Sequence, residues 1–260
     1  MVVQETFPAQ DTPVDDPKLE FWICVVAIPA TLLLGLFFHA VMPGVQRIFF
    51  GMPLHELGHA VAAWFCGFFA IPTLWKTVVF SESRGWLMPV VLFGAIAFGM
   101  VKAWRAEKYG YLPVLLALLV AQGIGTFYIR EETAQMLFTW GGDGFGMVLA
   151  AALMATFFFG KRTELYKGWL RWGFLVIGAA AFSDMFGTWW AARSNRDAIP
   201  FGEIEGVGLS DPMKLLEEHG WEIPDLVRRY FVTGLASLGG LALVYAWGVL
   251  RARSKAHEKK

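Results

Sequence analysis

Charge is scarce in this chain of 260 residues: Asp, Glu, Lys and Arg together make up 17% of it, against about 25% in an ordinary soluble domain. Cysteine is scarcer still. Cys24 and Cys66 stand alone inside apolar runs, which excludes a disulfide scaffold and suits small buried hydrophobes. Net charge is missing, because 22 basic residues balance 22 acidic ones, so no nucleic-acid partner is expected. No repeat period or low-complexity tract stands out. The first apolar run also lacks the basic start of a secretory signal; Glu5, Asp11, Asp15, Asp16 and Glu20 precede it. That run is therefore expected to be a retained span.

Apolar surface is what the chain has in excess. Hydrophobic residues reach 56% and aromatics 16%, with twelve Trp and twenty-three Phe, more than one soluble core buries. An all-α, multi-pass membrane bundle of about six to seven transmembrane helices is expected. The runs long enough to cross roughly 30 Å of hydrocarbon are Phe21–Met42, Ile48–Ile71, Trp86–Trp104, Tyr109–Tyr128, Thr133–Phe159, Gly168–Ala192 and Tyr230–Leu250. They divide the chain into an acidic N-terminal segment 1–20, a membrane-embedded domain 21–250 with a polar loop 193–229, and a basic tail 251–260. With seven spans, the distribution of Lys and Arg favours the N-terminus outside and the C-terminus in the cytoplasm. A bacterial inner membrane is the expected location.

Three carboxylates fall inside these runs: Glu56, Asp143 and Asp184. An acid at bilayer depth costs at least about 2.5–3.5 kcal/mol on insertion scales and marks a functional site by default. No Lys or Arg lies well inside any expected span to offset them, and two of the three histidines at depth flank Glu56. The stretch His55-Glu56-Leu57-Gly58-His59 reads H-E-x-x-H. On a helix the two imidazoles share one face and can hold one metal ion, with Glu56 placed as general base toward a water. The plainer reading, a polar pair packed against neighbouring helices, fits poorly with the cost of polarity in lipid.

A catalytic zinc usually takes three protein ligands. Asp143 is favoured as the third, and Asp184 is its rival. Asp143 sits in the glycine-rich stretch Trp140–Gly146, read as a break in its helix at mid-bilayer depth. The polar loop offers reserve ligands in Glu203, Glu205 and Asp211, although the simpler reading there is a surface loop followed by a short amphipathic helix, Met213–His219. His39 and Cys66 are read as packing residues.

The intramembrane H-E-x-x-H, followed by Asp143-Gly144 in a later span, resembles the site-2 protease family of zinc metalloproteases. The run His55–Trp64 (HELGHAVAAW) is similar to that family as well. The sequence departs from the family pattern in having two apolar spans between the motifs and Gly-Gly before the Asp-Gly. The resemblance implies a Zn2+-dependent endopeptidase that cuts transmembrane protein substrates within the lipid bilayer. A metal-binding membrane protein without protease activity, either a transporter or an inactive helix-binding relative, is the alternative.

Overall fold

The computed structural model describes residues 16–80, 83–159, 163, 170–204 and 208–258. Most of the acidic N-terminal segment, Glu205, the basic residues Lys161, Arg162 and Lys167, and the last two residues of the tail lie outside them. The described residues form an all-α bundle with six helices long and apolar enough to cross a membrane. The long helices are α1 (Pro17–Val41), α4 (Leu87–Arg105), α5 (Leu112–Gly123, extended by a π turn at Ile124–Tyr128), α6 (Glu131–Ala155), α7 (Leu170–Ala192) and α9 (Ile223–Glu258). Between α1 and α4 lie α2 (Pro43–Gln46), a π turn at Arg47–Gly51 and α3 (Met52–Phe65), then a hairpin of β1 (Ala70–Pro72) and β2 (Thr77–Val79). A second small hairpin, β3 (Glu203–Ile204) with β4 (Gly208–Leu209), and α8 (Asp211–Glu217) separate α7 from α9.

Contacts along the helices set their directions. Arg171 at the start of α7 pairs with Glu20 at the start of α1 at 2.8 Å, and its side-chain Nε donates to the Phe157 carbonyl just past the end of α6. Farther along, Gly35 of α1 faces Ser183 of α7, and His39 faces Gly187, so α1 and α7 run parallel. Helix α9 runs against α1: Tyr245, late in α9, donates to the Val25 carbonyl early in α1. That bond has a chemical reason. Pro29 has no N–H for the carbonyl four residues before it, and a freed carbonyl in a membrane helix must find another donor.

Two expectations change with this topology. The second apolar run is not a span, because its helix stops at Phe65 and Ala70–Pro72 turns into a strand. Gln46 at its start donates to the Ala180 carbonyl in the middle of α7, whereas Cys66 beyond its end packs with Ala134 near the start of α6. The segment is therefore a half-depth helix enclosed by α6 and α7, an irregular path that lipid permits only inside protein. With six spans in place of seven, the start of α1 and the C-terminal part of α9 lie at the same end of the bundle.

The expected break at Trp140–Gly146 is also absent, since α6 is continuous through it. Its glycines serve packing instead. A Cβ on Gly58 of α3 would lie 2.4 Å from the Gly141 carbonyl oxygen, and one on Gly142 would lie 2.6 Å from the Nε2 of His59. Gly58 and Ala62 meet Gly141, Gly142 and Gly146, the small-residue contact by which membrane helices approach closely. More than half of the most apolar 18-residue stretch of α6 and of α7 is buried, against about a fifth or less of the corresponding stretch in the other spans. A Gly58→Ala substitution is expected to cost about 1–3 kcal/mol by overpacking and to lower the thermal unfolding temperature in detergent. An unchanged unfolding temperature would contradict this account of the interface.

Candidate metal centre

Helix α3 is the rigid part of the site. His55 and His59 stand one turn apart with their rings at 4.6 Å. Each imidazole has its inner nitrogen committed: His59 Nδ1 donates to the Phe138 carbonyl at 2.7 Å, and His55 Nδ1 donates to Asp143 Oδ1 at 2.7 Å. A carbonyl only accepts, so His59 carries a proton on Nδ1, and the neutral ring with that proton presents its Nε2 lone pair outward; the Asp143 carboxylate orders His55 in the same way. The two Nε2 atoms lie 3.1 Å apart, and Asp211 Oδ2 stands 3.0 Å from each. Asp211 opens α8, where Pro212 fixes the first turn and Leu215 anchors the helix at zero exposure.

With both imidazoles neutral, the two Nε2 lone pairs and the Asp211 carboxylate converge as three possible ligands of one cation. One proton serves at most two edges of that triangle, whereas a metal ion serves all three. Ligand atoms held about 2.0–2.1 Å from a four-coordinate zinc stand about 3.3 Å apart, so the triangle needs to open by only a few tenths of an ångström.

The structure thus brings together His55, His59 and Asp211, and it places neither Asp143 nor Asp184 among the outer nitrogens. Asp143 lies behind His55, with Oδ2 accepting from Trp189 Nε1 at 2.8 Å and Oδ1 shared between His55 and Arg47. Asp184 is farther back, 3.1 Å from Arg47 and 3.7 Å from His39. Both acids bond Arg47, and Asp143 also bonds His55 Nδ1, so the ligand-spaced cluster contains Asp211 where Asp143 was expected. Of the reserve ligands, Glu203 lies exposed on β3. Cys66 is a packing residue, buried with Ala63, Phe68, Ala70 and Ala134.

Arg47 is the residue missed. It falls between two of the expected spans, yet the π turn carries its guanidinium between α6 and α7, where Nη1 donates to both Asp143 and Asp184. Its Nη2 stands 3.2 Å from His55 Nδ1, a nitrogen already donating to Asp143 and so no acceptor. Gly51 closes the turn against Asp184, with no room for a Cβ. Removing one partner of a buried ionic group costs about 3–5 kcal/mol. Arg47→Met is therefore expected to lower the thermal unfolding temperature sharply, and adding Asp184→Asn to recover part of the loss. A double variant no more stable than the single would contradict the pairing.

Glu56 is buried, and Thr77 Oγ1 on β2 lies 2.9 Å from its Oε2 and 2.7 Å from its backbone carbonyl. The β1–β2 hairpin thereby fixes the acid beside the two histidines. A cavity of about 310 Å³ joins these groups, lined also by Trp75, Lys76, Phe138, Pro200 and Tyr230. Counting along α6, His59 and Phe138 lie about 10 Å below its start, so the site is near one end of the bundle and is covered there by the hairpin and α8.

Fold and site define a multi-pass membrane protein with a two-histidine, one-carboxylate cluster suited to a metal ion. Compared with known proteins, the chain matches no family model, no curated protein and no solved structure.

Proposed function

We propose that this protein is a membrane-embedded zinc metalloendopeptidase that hydrolyses peptide bonds of transmembrane protein substrates. The observation that carries the reading is the convergence of His55 Nε2, His59 Nε2 and Asp211 Oδ2 beside the buried carboxylate of Glu56. Two imidazoles and a carboxylate are the donor set of hydrolytic zinc sites. Zinc held by them supplies Lewis acidity, polarising a peptide carbonyl and making water a nucleophile near neutral pH.

The chain's own residues do the rest. Asp143 and the Phe138 carbonyl hold the two imidazoles in the tautomer that presents Nε2, and Arg47 holds the Asp143 carboxylate in place for that task. Glu56 takes the proton from the attacking water and returns it to the leaving amine. Thr77 keeps that carboxylate aimed at the cavity. A substrate helix must unwind locally, because a helical peptide carbonyl is already hydrogen-bonded.

The basic residues Lys102, Arg105, Lys108, Arg251, Arg253 and Lys255 gather at the end of the bundle away from the site. By the positive-inside rule that end faces the cytoplasm of a bacterial inner membrane, with both chain ends inside and the site opening to the other face. In proteoliposomes carrying a single-span substrate, a zinc chelator is expected to stop cleavage and added zinc to restore it. Cleavage that persists in chelator would overturn the reading.

A further inference from the structure

Tyr230 of α9 is 1% exposed, yet its side chain borders the cavity that holds His55, Glu56, His59 and Asp211. Its ring is clamped: it stacks on Trp189 at 4.0 Å with an interplanar angle of 14°, and on Trp140 at 6.1 Å and 26°. Buried phenols ordinarily find a hydrogen-bond partner. The hydroxyl of Tyr230 has none among the described residues. Among the other donors around the cavity, Trp189 Nε1 is committed to Asp143 and Thr77 Oγ1 to Glu56, whereas the Ser210 hydroxyl, like that of Tyr230, has no partner among the described residues but stands on a loop-to-helix turn with no aromatic clamp. A rigid aromatic stack thus holds a spare O–H at the edge of the cavity.

We propose that Tyr230 is a further catalytic residue, whose hydroxyl hydrogen-bonds the scissile carbonyl oxygen as negative charge gathers there; the assignment rests on the peptidase reading above. When water adds to the carbonyl carbon, a C–O bond forms, the C=O π electrons move onto the oxygen, and Glu56 receives the water's proton. Tyr230 donates to that oxygen and keeps its own proton. Collapse re-forms the carbonyl and breaks the C–N bond, and the amine departs with the proton Glu56 returns. The clamp matters because a donor already in place needs no reorganisation when the charge appears.

Tyr230→Phe removes the hydroxyl and keeps the stack. In the zinc-loaded full chain we expect kcat to fall about 100- to 1000-fold, the range for loss of one such donor, with KM and zinc content unchanged. A phosphinic peptide, whose tetrahedral anion imitates the charged oxygen, should bind the variant weaker by a similar factor, whereas an uncleavable peptide with an ordinary carbonyl should bind both forms equally. Equal kcat and equal phosphinate affinity in parent and variant would overturn the role of Tyr230 alone. A parent that neither cleaves peptides nor binds the phosphinate would overturn the peptidase reading and this assignment with it.

Discussion

Replacing Asp211 with Ala is expected to weaken zinc binding by more than about 100-fold, whereas Asp143→Asn should weaken it by about 10- to 100-fold. The difference follows from position. Asp211 presents an oxygen 3.0 Å from both outer imidazole nitrogens, so its loss removes a direct ligand. Asp143 touches His55 on the opposite nitrogen, and substitutions behind a ligating histidine typically cost 10- to 100-fold in affinity or activity. A factor of 100 corresponds to about 2.7 kcal/mol. Competition with a fluorescent zinc chelator reads both values in one buffer. If Asp143→Asn proves the more damaging of the two, the carboxylate of α6 is the ligand and α8 only covers the site.

Glu56→Gln carries the second large effect. The amide has nearly the same shape and still accepts from Thr77, but it cannot take a proton from water. General-base loss costs about 100- to 10,000-fold in rate, so cleavage of a reconstituted substrate is expected to fall by at least 100-fold while zinc content stays at the parental level. Cleavage within a few-fold of the parent would remove Glu56 from the chemistry. Loss of zinc together with cleavage would make Glu56 a ligand and not the base.

The helical membrane architecture was legible because six long apolar runs are hard to read otherwise, and His55, Glu56 and His59 were legible because a helix fixes their spacing. Asp211 was only a reserve possibility. It reaches the histidines across more than 150 positions of sequence, through a loop whose path no local periodicity reveals, and the Ser210-Asp211-Pro212 helix start was its one visible signal. Arg47 was misplaced for a related reason: its backbone begins the half-depth helix, and a long side chain from a π turn spans the gap to two acids on other helices. The glycines around Asp143 were seen but misread. Glycine marks both broken helices and tightly packed ones, and only the facing residue, Gly58, decides between them. The seventh span failed because apolar character reports surroundings, not length across a bilayer; the run ending at Ile71 is enclosed by protein for much of its course.

X-ray absorption at the zinc edge of protein purified in lipid nanodiscs tests the central claim most directly. The account predicts one zinc per chain with two imidazoles in its coordination shell and the remaining ligands oxygen, all at about 2.0–2.2 Å. In Asp211→Ala the imidazole contribution should persist in whatever zinc remains. A spectrum without imidazole scattering, or a parent chain that takes up no zinc, would contradict it.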